Sequence, residues 1–448
     1  MPMDVLTAAR AQMEVSLAFH MIFAALGIGM PLQMMVAERL WMRTGRPHYR
    51  ALARKWAKAA ALTFAVGAVS GTALSFELGL LWPRFMAFAG SIVGPAFALE
   101  GYAFFLEAIF LGLYLYGWER LSARAHWWCG AAVATSGMLS GVLVLAANAW
   151  MQTPAGFRLV DGKAVDVSPF APFLAPSWPQ MALHSTLSCY VATAFAAAGV
   201  YALGMLRGRD DAYHRSGLGI SMAVAAVAAV LQGISGDLSA RAVGRMEPVK
   251  MAAMEAHYRT GPRVPLLIGG VPDAAADTVR WAVRIPAGLS LLLHEDVDAV
   301  VPGLDRVPRA ERPNVAIAHA AFDVMVGCAG VLTLLGAAYW IARRRGREGA
   351  RWLLRGLVAA SPLGFLALQA GWIVTEVGRQ PWMIHDVLRT RDGVTPVVEV
   401  PATLFGFSIL YLLLGTALAL LLRSLATGSP PAEKATVDAA GREVAHVG

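Results

Sequence analysis

Long apolar runs separated by short polar connections dominate the chain. Nine of them stand out, at approximately 13–38, 57–81, 94–118, 127–149, 180–206, 217–236, 315–342, 352–375 and 401–423. Each reaches the roughly 20 residues that an α-helix needs to cross a hydrocarbon core about 30 Å thick. The pattern predicts an all-α fold, a polytopic membrane bundle of about nine helices within residues 1–424. One long non-membrane segment interrupts it at 237–314, and a polar tail poor in aromatics, expected to be disordered, follows at 425–448. Where the other connections are tight, a loop of that length is expected to have a function. The first run is too long for a signal-peptide core and no small-residue cleavage site follows it, so it is read as a permanent helix.

Composition agrees with this pattern. Hydrophobic residues make up 57% of the chain and charged residues 15%, a mixture that a soluble domain of this length could not place on its surface. Basic residues are not scattered. Arg39, Arg43, Arg46, Arg50, Arg54, Lys55 and Lys58 fill the first connection, Arg120 and Arg124 the third, Arg207, Arg209 and Arg215 the fifth, and Arg343, Arg344, Arg345, Arg347, Arg351 and Arg355 the seventh. The short even-numbered connections are nearly bare. By the positive-inside rule the odd connections and the tail are cytoplasmic and the N-terminus is outside. Topology therefore accounts for the net charge of +8, and nucleic acid is not expected as a partner. Cys129, Cys189 and Cys328 are odd in number and lie in or at helices, so they read as small packing residues rather than a disulfide framework.

A few polar side chains inside the runs change the picture. Glu376 lies at the end of the eighth run, with Arg379, Pro381 and Trp382 close behind, and a carboxylate at that depth needs a partner, a metal or a wet cavity. Glu100 and Glu107 are seven residues apart in the third helix. Two turns separate them, so both project from one face about 10 Å apart along the axis. That is the geometry of a proton relay; the plainer alternative pairs each with an arginine from elsewhere. Ser140, with Thr135 and Ser136, could continue the relay or bond back to its own helix. His20 and His184 sit in apolar helices near the outer side, either as hydrogen-bonded packing residues or as axial haem ligands. Met325 follows His319 and Asp323 at the start of the seventh helix; opposite a histidine, such a methionine could complete a Met/His haem site. In the long loop, Pro248–Tyr258 reads as a short helix with Lys250 and Glu255 one and a half turns apart. Asp323 is expected to need a partner. No phosphate-binding loop, dinucleotide fingerprint, Cys–Cys metal spacing or nucleophile elbow occurs.

By depth, His20, Glu100, His184, Met325 and Glu376 gather toward the outer face, while Glu107 and Ser140 lead inward. In these stretches the chain resembles subunit I of cytochrome bd-type quinol oxidases, of the short-loop type often associated with cyanide insensitivity. The resemblance rests on Glu100-Gly with Phe104-Phe-Leu-Glu107, Ala147-Asn-Ala-Trp-Met-Gln152, His184, Lys250-Met-Ala-Ala-Met-Glu255-Ala, Met325-Val-Gly, and Gly371-Trp-Ile-Val-Thr-Glu-Val-Gly-Arg-Gln-Pro-Trp382, and it covers the chain to about residue 425. It implies a bacterial inner-membrane terminal oxidase with three haems. His184 and Met325 would hold a low-spin haem b, Glu376 a high-spin haem b, and His20 the haem d where O2 is reduced. Glu100 would lie at the haem d pocket, Glu107 and Ser140 in the proton path, and Trp372 among the haems. Arg379 and Arg10 would pair with propionates. Lys250 and Glu255 would engage quinol, ubiquinol or menaquinol, in the 237–314 loop. Subunit II and a small single-helix accessory subunit are the partners implied. Protons would be taken from the cytoplasm and released outside, without a separate pump. The chain departs from the pattern at Asp323, where a basic residue is expected, and at Glu247, where a glutamine is expected. Two other classes fit parts of the pattern. A haem b electron relay needs only His184 and Met325, and a proton or cation transporter would show paired repeats and broken helices.

Overall fold

The computed structural model describes residues 4–427. Among these, nine helical segments are long and apolar enough to span a bilayer. They are α1 (Val5–Thr44), α2 (Pro47–Leu81), α3 (Pro83–Tyr116), α4 (Ala123–Gln152), α5 (Trp178–Leu206) and α6 (Ala212–Met246). A short α7 (Pro248–Met254) and α8 (Gly288–His294) follow in the long loop, then α9 (Val315–Arg344). The eighth span is divided into α10 (Arg351–Ala360) and α11 (Leu363–Gly378). After a one-turn α12 (Thr390–Gly393), α13 (Val400–Thr427) completes the set. The first three residues of the expected tail thus continue a helix, and residues 428–448 lie outside the described ones.

The predicted spans are all present but most are longer than the apolar runs. Helix α1 has 40 residues, about 60 Å at 1.5 Å per residue, twice the hydrocarbon thickness. Its N-cap Asp4 accepts from the Thr7 amide at 2.9 Å, and Gly45, at φ 66°, closes its C-terminus. Pro47 and Pro83 then open α2 and α3, at the first-turn positions where a missing N–H costs nothing. The turn from α2 to α3 therefore takes one residue, Trp82, and α3 begins eleven residues before the predicted run. Helix α6 continues ten residues past its predicted end and carries Asp237 in helix rather than loop. The reason is common to these cases: hydropathy marks where a helix lies in hydrocarbon, not where its hydrogen bonding stops.

The eighth span is present where the apolar run places it, but not as a single helix. It is not continuous, because Pro362 has no N–H to donate and its ring crowds the preceding turn. Ser361 Oγ donates to the Val358 carbonyl at 2.8 Å. The displaced α11 packs directly on α5, where a Cβ at Gly364 would stand 2.4 Å from Ala192 Cα.

Successive helices run antiparallel, so one end of the bundle carries the long loops and the other the arginine-rich connections. The loops hold small β-ribbons, which the all-α expectation did not include. β1 (Arg158–Val160) pairs with β2 (Lys163–Val165). In the long loop, β3 (Leu266–Ile268) and β4 (Val271–Asp273) pair with β6 (Val283–Ile285) and β5 (Thr278–Arg280) respectively. β7 (Trp382–Ile384) pairs with β8 (Leu388–Arg389). Apolar packing forms two main blocks. Met34, Trp56, Phe195, Leu218, Leu332, Tyr339 and Leu357 fill the arginine-rich half. Trp82, Phe85, Ile92, Trp150 and Ile384 form a second block at the loop-rich end. A large cavity opens between and beside these blocks.

Candidate functional site

The cavity has a volume of about 1470 Å³, larger than the 300–1,000 Å³ that encloses a drug-sized molecule. All twelve side chains to which the resemblance gives a role border it. Arg10 and His20 come from α1, Glu100 and Glu107 from α3, Ser140 from α4, and His184 from α5. Met325 comes from α9, Trp372 and Glu376 from α11, Arg379 from just after it, and Lys250 and Glu255 from α7 and its C-cap.

The two histidines share one contact, a serine hydroxyl at Nδ1. His20 Nδ1 lies 3.0 Å from Ser70 Oγ, and that hydroxyl donates to the Val66 or Gly67 carbonyl. A hydroxyl has one proton; with it on one of those carbonyls, Ser70 accepts from Nδ1–H, the tautomer that leaves the Nε2 lone pair free. His184 has the same serine contact, with Nδ1 3.0 Å from Ser235 Oγ and Ser235 donating to the Gln232 carbonyl, but here the Gln232 side-chain amide nitrogen also stands 3.1 Å from Nε2. Fixing one ring nitrogen to present the other is how metal-binding imidazoles are oriented. The following glycines make room: a Cβ at Gly71 would be 3.0 Å from His20 Cε1, and at Gly236 3.6 Å from His184 Cε1. Ser70-Gly71 in α2 and Ser235-Gly236 in α6 are thus the same device. That recurrence is visible in the sequence, though only in hindsight of which helices pair. Gly371 likewise clears Met325, whose Sδ lies 3.0 Å from a Cβ built there.

Glu376 accepts from Asn148 Nδ2 at 2.8 Å and from Arg379. Arg379 is buried, yet its Nε and one terminal nitrogen have no partner, and buried Trp372 Nε1 has none either. Glu100 accepts from Ser140 Oγ at 3.1 Å. Glu107 points its carboxyl between Gly27 and Gly137, where a Cβ on Gly137 would be 3.0 Å from it. Neither acid pairs with an arginine among the described residues, which removes the plainer alternative for both.

The loop residues divide. Lys250 does not turn toward Glu255; its ammonium is buried against Glu247 and Gln152 Oε1, the latter at 2.5 Å. Burial pulls it below the usual lysine range even though Glu247 opposes the shift. Glu255 is buried with one carboxylate oxygen unpartnered, and desolvation, helped by the charge of Asp323, pushes its pKa up to about 8. Asp323 has the partner it was expected to need, His319 Nε2 at 3.4 Å. His319 Nδ1 in turn holds the Met254 carbonyl at 2.8 Å, tying α9 to α7.

Sequence reasoning left several cavity residues without a role: Glu14, Asn148, Gln232 and Glu247. Gln152, behind the wall, and the buried Glu38–His126 pair at 2.7 Å were also missed. Asn148 and Gln152 stood inside a recognised motif but, being uncharged, gave no signal of burial.

These donors suit a porphyrin better than a bare ion. No group of three or more His, Cys, Asp or Glu among the described residues could enclose a metal. What the wall offers instead are single imidazole, thioether and carboxylate ligands around a large apolar space, as axial ligation of haem requires. Unpartnered guanidinium nitrogens on Arg379, and the exposed Arg10 at the rim, suit the carboxylates of such a group.

The family model for cytochrome bd terminal oxidase subunit I matches residues 8–430. The chain belongs to that family. A Bacillus subtilis (strain 168) protein, named provisionally as a cytochrome bd menaquinol oxidase subunit I, is 36% identical over 422 residues, covering 93% of this chain and 95% of its own. A cytochrome bd ubiquinol oxidase subunit 1 from the same organism is 30% identical, with 94% and 93% covered. Among solved structures, the bd oxidase from Geobacillus thermodenitrificans superposes with a TM-score of 0.90 at 36% identity, over 94% of this chain and 98% of that one. As a member of the cytochrome bd subunit I family, the chain is a multi-pass membrane oxidoreductase of the respiratory chain, a terminal oxidase subunit that works with haem.

Proposed function

We propose how this quinol:oxygen oxidoreductase subunit, which acts beside a subunit II, divides its work among its own residues. His184 and Met325 hold a low-spin haem b, Glu376 holds a high-spin haem b, and His20 holds haem d. The haems supply the one-electron carriers and the iron at which oxygen is reduced. Residues 1–424 form the haem-binding unit, and the loop-rich end faces outside a bacterial inner membrane. There Glu255 accepts a proton from quinol, ubiquinol or menaquinol, while Lys250 and the 237–314 loop hold the ring. Arg379 and Arg10 bind propionates, and Trp372 packs among the macrocycles. From the cytoplasmic side, Glu107 passes protons through the Ser140–Glu100 pair, so proton uptake and release occur at opposite faces without a pump. A small single-helix accessory subunit is a further expected partner.

The observation that carries this reading is that His20, His184, Met325 and Glu376, four residues with iron-ligating side chains, all line the same cavity. A relay of low-spin haem b alone would leave His20 and Glu376 without purpose. A transporter would call for paired broken spans, and only the eighth is broken among those described. The test is His184→Ala in the assembled oxidase: loss of the low-spin haem signal and of quinol oxidation is expected, and retention of that haem at full occupancy would contradict the assignment.

A further inference from the structure

Three hydrogen bonds connect the loop lysine to the carboxylate of α11. Lys250 Nζ donates to Gln152 Oε1 at 2.5 Å, Gln152 Nε2 donates to Asn148 Oδ1 at 3.4 Å, and Asn148 Nδ2 donates to Glu376 Oε1 at 2.8 Å. The direction is fixed from both ends. An ammonium can only donate and a carboxylate can only accept, so each amide must turn its oxygen toward Lys250 and its NH2 toward Glu376. Asn148 and Gln152 are four residues apart on the last turns of α4, which puts them one above the other on a single face. Gln152 is 1% exposed and does not border the cavity. Glu247 closes the far end by pairing with Lys250. The lysine stem lies against the end of α11, where a Cβ at Gly378 would be 2.6 Å from Lys250 Cγ.

We propose that Asn148 and Gln152 form a polar strut that positions Lys250 and Glu376 against each other, so that the quinol-binding loop and the haem held by Glu376 are energetically coupled. Aligned hydrogen bonds in a low-dielectric interior polarise one another, and here the ammonium at one end reinforces donation to the carboxylate at the other. Coupling of this kind is reciprocal: whatever moves Lys250 alters the Glu376 carboxylate as an iron ligand, and the state of that haem alters how Lys250 is held. Gln152 and Asn148 are positioning residues, and Glu247 is the group that keeps Lys250 in line with them. This rests on the assignment of Glu376 as a haem ligand and of the α7 region to quinol.

The test is Gln152→Met in the purified, haem-loaded two-subunit oxidase, a change that adds no charge, keeps the side-chain length and touches no cavity wall. Redox titration followed optically should show the ferric-to-ferrous ratio of the Glu376 haem at a fixed potential changed about fivefold or more, within the usual range for coupled sites. The low-spin haem of His184 and Met325, which the strut does not reach, should be unmoved, and KM for quinol should rise severalfold. Gln152→Asn, one methylene too short to span both neighbours, should do the same and serves if the first variant assembles poorly. Both haems shifting together, or neither shifting, would overturn the strut while leaving the haem assignment standing. Glu376→Ala identifies which signal belongs to that residue; a full haem complement in that variant would overturn the assignment and the strut with it.

Discussion

Glu255 shows how a single side chain can set a pH dependence. Its carboxyl is held up to about 8 by burial and by Asp323, so at neutral pH it carries a proton that an ordinary glutamate would have released. A base that takes a proton from quinol must be ionised first. Quinol kcat/KM should therefore rise with pH through an apparent pKa near 8, and Glu255→Gln should be slower and lose that limb; an unchanged pH profile in the variant would remove Glu255 from the reaction. Glu107 makes a different prediction. Its carboxyl sits in glycine-walled space bordering the cavity, and Glu107→Gln should leave the haem spectrum intact while oxygen consumption falls by about two orders of magnitude, as loss of a positioned proton carrier does. Undiminished consumption would take it off the proton route. Residues of this kind were legible in the sequence because a carboxylate or imidazole in an apolar helix is conspicuous. Asn148, Gln152, Ser70 and Ser235 were not, since an amide near a helix end or a serine within a helix has an ordinary local explanation. The partner of Lys250 was not legible either: α7 stops at Met254 and leaves Glu255 at its C-cap, while Glu247 at i−3 takes the ammonium.

Among helices, the glycines decide how closely the spans approach. Gly364 is a sharp case, because α11 meets α5 backbone to backbone where the broken eighth span packs on it. Gly364→Ala would force the two helices apart, at a cost of about 1–3 kcal/mol for overpacking. Its thermal unfolding midpoint should fall, whereas Gly330→Ala on α9, which has nothing within 4 Å of a new Cβ, should not lower it. Equal midpoints would mean that α11 does not bear on α5 as described. The existence and order of the nine spans could be read directly from hydropathy. Their ends could not, because α1, α3 and α6 continue as helices into polar surroundings where the apolar signal stops. Nor could the break at Ser361-Pro362, since a proline inside a membrane span often leaves it continuous: Pro31 and Pro95 do so in α1 and α3.

At the scale of the whole molecule, the outward-facing surface is apolar, with Phe76, Tyr102, Phe105, Leu334 and Phe405 exposed, as a chain bounded by lipid and a second membrane subunit requires. The interior is organised the other way round: polar ligands gather about a space that side chains do not fill. That inversion is what the sequence reading captured as a cluster of polar residues at one depth, and family membership supplies the cofactor class that explains it. The central claim is that this space holds three haems bound through His20, His184 with Met325, and Glu376. The most direct measurement is a reduced-minus-oxidised optical spectrum of the oxidase purified from membranes. The account predicts low-spin and high-spin haem b signals together with a far-red chlorin band; a single low-spin haem b, or no haem at all, would contradict it.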